Sequence, residues 1–254
     1  MKGSPPPERP PRFELRVLPD AAVAAEAAAR ELVEASKDAL GNRATFCVAL
    51  SGGSTPKRMF QALAGEELRG LVDWKRARVF FADERCVPPN DERSNYRLAK
   101  EHLLDPLAVP RESVFRMRGE EEPERAARDY ETVLRRELGA GRAAPRFDLV
   151  FLGLGTDGHT ASLFPGSRAV EEKRRWVAAI GAPKLPERRL TLTLPVLNAS
   201  RRVVFLVTGE EKRAAVAAVL AAKRGSSSLP ASLVKPKRGS LIWIVDEAAA
   251  AGLQ

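Results

Sequence analysis

Short apolar runs, each followed by a glycine-rich or charged loop, constrain what this chain of 254 residues can fold into. The three clearest are Thr45 to Leu50, Ala77 to Ala82 and Phe147 to Leu152. Their continuous apolar character is typical of strands that are buried on both faces. Because segments of helical composition separate them, the pattern favours a mostly parallel sheet. The sequence therefore predicts a three-layer, Rossmann-like α/β fold with helices on both faces of the sheet.

The rest of the chain continues this alternation. Further strands are predicted over Phe13 to Leu18, Trp176 to Ile180, Arg189 to Leu194, Arg201 to Val207 and Leu241 to Val245. Helices are predicted over Ala21 to Leu40, Lys57 to Leu63, Ser94 to Leu104 and Pro123 to Leu138, with another that opens at Thr208 to Lys212 and runs to Ala222. We expect residues 1–11 to be a disordered Pro-rich leader and residues 12–254 to form a single domain.

Composition excludes several classes of protein. The 42 Lys and Arg exceed the 33 Asp and Glu and give a net charge of +9, but they form no basic stripe interleaved with aromatic residues, so no nucleic-acid partner is expected. The scattered charge is typical of a solvated surface, with mild steering of an anionic substrate as the alternative. No apolar run approaches the roughly 20 residues of a membrane span. We expect a cytoplasmic protein because the two cysteines form no disulfide framework, with a monomer as the default.

Polar loops follow several of the predicted strands. In open parallel sheets, ligands bind beyond the carboxyl ends of the strands, so these loops are the candidates for a site. The loop at Ser51-Gly52-Gly53-Ser54-Thr55-Pro56 can cradle a phosphate with its backbone N–H groups and hydroxyls, with Thr55 and Pro56 as N-cap and first residue of a helix. Two alternatives stay open: a nucleophile elbow at Ser51, and a plain strand-to-helix turn.

The run from Gly153 to Gly158 matches G-x-G-x-x-G literally. A dinucleotide site also needs a full helix next, and Pro165-Gly166 arrives too soon for one. The same loop carries His159, one of only two histidines, which is suited to act as a general base near neutral pH. Asp157 can shape the loop or orient the ring. The alternative is a loop histidine without a catalytic role.

Charged side chains at two further strand ends are candidates. Alternation places Asp83 and Arg85 on one side of the chain and Glu84 on the other. Arg85 suits a phosphate or a developing oxyanion, while the alternative is an ordinary ion pair that caps the strand. Lys212 and, more weakly, Arg189 add possible cations. No His, Cys, Asp or Glu set has metal-ligand spacing, so a metal site is not expected.

Taken together, these loops resemble the 6-phosphogluconolactonase family. The most specific match is Gly153 to Gly166, which contains Gly155-Thr156-Asp157-Gly158-His159. The other matches, in family order, are Ala49 to Pro56, Phe81 to Arg85, Ser94-Asn95-Tyr96, Arg189-Leu190-Thr191 and Thr208-Gly209 with Lys212. The resemblance implies a fold shared with glucosamine-6-phosphate deaminase and cofactor-free hydrolysis of 6-phospho-D-glucono-1,5-lactone in the oxidative pentose phosphate pathway.

The resemblance also implies roles for individual residues. His159 would activate the water that attacks the lactone carbonyl, Asp83 would position substrate or water, and Arg85 would bind the phosphate or polarise the site. The remaining expected binding residues are Ser51, Gly52, Gly53, Ser54, Thr55, Asn95, Gly155, Asp157, Arg189 and Lys212.

Two rival functions remain. A sugar-phosphate isomerase or deaminase on the same scaffold would need a proton-shuttling carboxylate shortly after the histidine, where this chain has Ser162-Leu163-Phe164. A non-catalytic sugar-phosphate sensor would need a DNA-binding helix pair upstream, and only about 18 residues precede the first long helix.

Overall fold

The computed structural model describes residues 12–139, 141, 143–181, 188–222 and 229–253. The predicted leader, residues 1–11, lies outside these residues. The described strands are β1 (Arg12–Leu18), β2 (Phe46–Leu50), β3 (Ala77–Phe81), β4 (Asp83–Arg85), β5 (Leu149–Leu152), β6 (Val177–Gly181), β7 (Arg188–Leu192), β8 (Arg202–Val207) and β9 (Ser240–Asp246). The α-helices are α1 (Ala21–Asn42), α2 (Ser54–Ala64), α3 (Asn95–Ala99), α4 (Pro123–Glu137), α5 (Arg168–Glu171), α6 (Leu194–Leu197), α7 (Arg213–Ala221) and α8 (Glu247–Ala250).

Six of the strands form one parallel sheet in the order β1-β9-β8-β5-β2-β3. All five residues of β2 are buried, as its continuous apolar run predicts. Successive residues of the strand enter different cores, because side chains alternate between the faces of a sheet. Ala49 packs in the core that includes α4 and α7, whereas Val48 and Leu50 pack in the core that includes α1 and α2. This arrangement confirms the predicted three-layer α/β fold.

A second, antiparallel sheet in the order β4-β7-β6 was not predicted. The sequence treats Asp83 to Arg85 as the polar end of the preceding strand, but these residues form a strand of their own. Ala82 is the point of transfer: its amide donates to Leu50 of the parallel sheet at 2.7 Å, and its carbonyl accepts from Leu192 of β7 at 2.7 Å. The chain therefore leaves one sheet and enters the other at a single residue.

The predicted cap of α2 is wrong in position. The helix begins at Ser54, and the N-cap is Gly53 with φ of 113°, a conformation that glycine adopts without steric cost. The Lys57 amide donates to the Gly53 carbonyl at 3.2 Å and closes the first turn, so Thr55 and Pro56 lie inside the helix. The predicted helix over Ser94 to Leu104 is divided between α3 and a π-helical turn at Lys100–Leu104.

No helix within the described ranges is both long and apolar enough to cross a bilayer.

Candidate active site

The loop after β5 holds His159 beside a carboxylate. Nδ1 of the imidazole lies 2.6 Å from Oδ1 of Asp157, and the same oxygen accepts the backbone N–H of His159 at 3.1 Å. An ionised carboxylate only accepts hydrogen bonds, so in the neutral ring Nδ1 carries the proton and Nε2 is the acceptor. The ring also packs against Phe164, with centroids 4.7 Å apart, and its side chain is 30% exposed. A histidine held in this way can take a proton from a water molecule through Nε2.

The charge state of Asp157 suits this arrangement. Burial acts to raise the pKa of its carboxyl, but the hydrogen bonds from the amide and ring of His159, together with the charge interaction with the imidazole, outweigh it. The pKa of Asp157 therefore lies below its ordinary value, and the group is ionised at neutral pH.

Gly155 makes room for the pair. A Cβ atom at this position would lie 2.0 Å from Nδ1 of His159 and 2.6 Å from Oδ1 of Asp157. The Gly155 amide donates to the His159 carbonyl at 2.8 Å, and Oγ1 of Thr160 donates to the Gly153 carbonyl at 2.8 Å. The glycine-rich run thus supports the imidazole rather than a dinucleotide.

The antiparallel sheet brings several predicted residues onto one face. Asp83 and Arg85 are two residues apart on β4 and share a face, as alternation predicts. Across the strand pair, Asp83 lies opposite Thr191 and Arg85 lies opposite Arg189. Two arginine positions therefore stand opposite each other on this strand pair.

Asp83 connects this sheet to the histidine loop. Its Oδ2 accepts from Oγ of Ser162 at 2.7 Å, and its Oδ1 accepts from Nδ2 of Asn95 at 3.2 Å. The amide of Ser162 donates to Oγ1 of Thr191 at 3.2 Å. Asp83 is 8% exposed and Ser162 is 2% exposed, so both groups are fixed within the protein. Neither Ser162 nor Thr191 was predicted as a site residue, and their only sequence signal was membership of the two matching motifs.

Arg85 makes its contacts with α3 and the loop before it. Its Nη1 donates to the Arg93 carbonyl at 2.7 Å and to Oδ1 of Asn95 at 2.5 Å. Within the described ranges it forms no ion pair with Asp83 or Glu84, which disfavours the alternative of a simple strand-capping pair.

The loop after β2 approaches the same region without supplying a free nucleophile. Oγ of Ser51 is buried and donates to the Phe151 carbonyl at 2.9 Å. Because its proton is directed to a backbone carbonyl rather than to a histidine, the geometry disfavours the nucleophile elbow. Gly52 lies directly against the side chain of Asn95, and a Cβ at Gly52 would lie 1.8 Å from the Asn95 Oδ1.

The loop after β8 lies beside the start of α2. Oγ1 of Thr55 is 3.1 Å from Oγ1 of Thr208, and Lys212 follows in the 3₁₀ turn Glu210–Lys212. The Gly209 amide donates to the Asp246 carboxylate at 3.0 Å. Three features therefore lie together at one end of the sheet and can hold an anion: the first turn of α2, the hydroxyls of Thr55 and Thr208, and the half-buried Lys212.

Among the described residues, no group of three or more His, Cys, Asp or Glu side chains could hold a metal ion. A cavity of about 440 Å³ lined by Phe13, Leu241 and Trp243 lies elsewhere and includes none of the predicted site residues.

Comparisons with known proteins agree with the fold and the motifs. A 6-phosphogluconolactonase of Rattus norvegicus is 43% identical over 212 residues, which cover 83% of this chain and 81% of the relative. A 6-phosphogluconolactonase of Treponema pallidum is 38% identical over 220 residues, covering 87% of this chain and 90% of the relative.

Solved structures give the same result. The 6-phosphogluconolactonase of Trypanosoma brucei superposes with a TM-score of 0.83 at 30% identity, covering 98% of this chain and all of that one. A monomeric glucosamine-6-phosphate deaminase superposes with a TM-score of 0.77 at 19% identity, covering 94% of this chain and 99% of that one, and shows the shared fold alone. The sequence profile of the glucosamine-6-phosphate isomerases/6-phosphogluconolactonase family matches residues 19–243. The chain therefore belongs to the glucosamine-6-phosphate isomerase/6-phosphogluconolactonase family.

Proposed function

We propose that this protein hydrolyses 6-phospho-D-glucono-1,5-lactone to 6-phospho-D-gluconate, a step of the oxidative pentose phosphate pathway, without a cofactor. The observation that carries the proposal is the 2.6 Å contact between His159 Nδ1 and Asp157 Oδ1, in a loop that is joined to Asp83 through Ser162. The 6-phosphogluconolactonases at 38–43% identity support the choice of substrate.

His159 is the proposed general base. Its Nε2 takes a proton from water as the water oxygen attacks the lactone carbonyl carbon. The tetrahedral intermediate then collapses with cleavage of the bond to the ring oxygen, which receives the proton from the imidazolium. Asp157 stabilises that imidazolium and fixes the orientation of the ring. A δ-lactone is already activated, so a positioned base and electrostatic stabilisation suffice.

Asp83 and the two opposed arginines supply the surroundings of the reacting carbonyl in this proposal. Asp83 is held by Ser162 and Asn95 and positions substrate or water. Arg85 and Arg189 share its face of the antiparallel sheet. A guanidinium group there stabilises negative charge as it develops on the carbonyl oxygen, or holds the phosphate.

The phosphate is proposed to bind between the start of α2 and the loop after β8. Gly52 and Gly53 lead into the helix, Ser54 and Thr55 present its first backbone N–H groups, and Lys212 adds a charge. Because the phosphate is remote from the carbonyl, its binding energy serves to orient the ring.

The deaminase reaction of the same family is less consistent with this site. Its proton shuttle would need a carboxylate shortly after the histidine. Here Ser162 is bound to Asp83, and Leu163 is fully buried in the core.

The test is a coupled assay of the purified protein on 6-phosphogluconolactone, with the spontaneous hydrolysis rate subtracted. We expect His159→Ala to remain folded and to reduce the enzymatic rate to that background. His102→Ala is the matched control, because it removes the only other histidine, on the π-helical turn, and should keep wild-type activity. Wild-type protein without activity above background would refute the proposed function, and an active His159→Ala would refute the base.

Monomeric state and cytoplasmic location stay predictions. Relatives from rice are named as chloroplastic, so cell fractionation would have to decide the location.

A further inference from the structure

The side chain of Asn95 links three parts of the site. Nδ2 donates to both the carbonyl oxygen and Oδ1 of Asp83, at 2.9 and 3.2 Å. Oδ1 accepts from Nη1 of Arg85 at 2.5 Å. Gly52, at the start of the loop after β2, lies against the same amide. Asn95 is only 2% exposed, so its polar groups are directed into the protein rather than towards a ligand.

The chemistry of these partners fixes the orientation of the amide. The carbonyl and carboxylate of Asp83 can only accept, and the guanidinium of Arg85 can only donate. A flipped amide would place its oxygen against the oxygens of Asp83 and its NH₂ group against the Arg85 guanidinium. An amide can donate to Asp83 and accept from Arg85 at once.

The backbone of Asn95 is also fixed. Oε1 of Glu84 accepts the Asn95 amide at 2.8 Å, and Oε2 accepts the Tyr96 amide at 2.8 Å and Oγ of Ser94 at 3.0 Å. Glu84, on the other side of β4, therefore binds the start of α3 to the strand that carries Asp83 and Arg85. The position of the Asn95 side chain follows from this connection.

Gly52 is in contact with this unit. A Cβ atom at Gly52 would lie 1.8 Å from Oδ1 of Asn95, the oxygen that accepts from Arg85, so the Asn95 amide would have to shift. The absence of a side chain at Gly52 therefore accommodates Asn95. This gives the glycine a structural reason that is separate from the approach of a phosphate to the backbone.

We propose that Asn95 is a positioning residue that holds Asp83, Arg85 and the Gly52 loop in one fixed relation, and that it acts through them rather than by touching substrate. The inference rests on the proposed lactone hydrolysis for its consequence on rate. Its structural part does not depend on that reaction.

The test is Asn95→Asp, which keeps the shape and the acceptor for Arg85 but replaces the donor to Asp83 with an oxygen. In its crystal structure we expect the Asp83 carboxylate to leave its 2.7 Å contact with Ser162. We expect kcat/KM to fall about 10- to 100-fold, the scale of a displacement near 1 Å in an active site. Combining Asn95→Ala with Arg85→Ala should reduce kcat/KM by a factor much smaller than the product of the two single reductions, because both variants remove the same positioned group.

Asn198→Asp is the matched control. Its amide also bridges backbone groups, donating to the Leu233 carbonyl at 3.0 Å and accepting from the Lys235 amide at 2.5 Å, but it touches none of the predicted site residues. This variant should affect thermal stability alone. If Asp83 and Arg85 keep their positions in Asn95→Asp, or if the Asn95 and Arg85 losses multiply independently, the inference is overturned. An inactive wild-type protein would count against the proposed function, and the crystal structure of the variant would still decide the role of Asn95.

Discussion

His159 and Asp157 are two residues apart, and one carboxylate oxygen of Asp157 binds both the backbone amide and the imidazole Nδ1 of His159, at 3.1 and 2.6 Å. The tight turn through Gly158, which has φ of 81°, makes this double contact possible. A single oxygen therefore sets the conformation of the loop and the orientation of the ring. The Asp157 side chain is 41% exposed and that of His159 is 30% exposed, so the pair is accessible from solvent.

Replacing Asp157 with Asn should reduce kcat about 10- to 100-fold with little change in KM, because the ring loses the partner that fixes its tautomer. Steady-state kinetics of the two proteins measure this effect.

The contribution of Asp157 to folding stability should also depend on pH. The pKa of Asp157 is lower in the folded protein, so its contribution is present above the unfolded value of about 3.9 and is lost as pH falls through the folded value. Melting temperatures of wild type and Asp157→Asn should therefore differ at pH 6, and the difference should shrink as the pH falls below about 3.9. A constant difference across that range would contradict the lowered pKa.

Two glycines of one loop offer a matched pair of substitutions. Gly155→Ala places a Cβ atom 2.0 Å from Nδ1 of His159, so the ring must move and kcat/KM should fall about 100-fold. In Gly153→Ala the new Cβ meets no atom within 4 Å, and activity should stay close to that of wild type. Steady-state assays of both proteins provide the comparison. Equal activities would show that the position of the imidazole does not limit the reaction.

The sequence predicts the contacts that are local and misses those that are not. The alternation of apolar runs and helices predicts the parallel sheet, and the spacing of two residues places Asp157 beside His159. The contact between Ser162 and Asp83 joins residues 79 positions apart. It depends on the antiparallel sheet, of which the sequence predicts β6 and β7 as strands but predicts neither the three-residue β4 nor its pairing with β7. The opposition of Arg189 to Arg85 was missed for the same reason, and Arg189 therefore ranked as a weak candidate.

Ser51→Ala tests the nucleophile elbow directly. The hydroxyl donates to the Phe151 carbonyl on the neighbouring strand, so its removal should cost about 1 kcal/mol of unfolding free energy and leave most of the activity. Urea denaturation and the lactonase assay measure the two effects. Loss of all activity, with an acyl-enzyme trapped in wild type and detected by mass spectrometry, would instead identify Ser51 as a nucleophile.

Lys212→Ala separates phosphate binding from the reaction at the carbonyl. The lysine follows Thr208, whose hydroxyl contacts Thr55 at the start of α2, and we expect it to bind the phosphate in the ground state and in the transition state alike. KM for 6-phosphogluconolactone should then rise roughly 10-fold with kcat nearly unchanged, as expected for loss of one charge-assisted hydrogen bond. Kinetics on unphosphorylated gluconolactone should not change.

Lys37→Ala removes an exposed lysine that pairs with Glu34 on α1, and it controls for the loss of one positive charge. If Lys212→Ala raised KM equally for both lactones, the lysine would act on the sugar ring or the carbonyl. The phosphate would then have to be held by the start of α2 and the arginines.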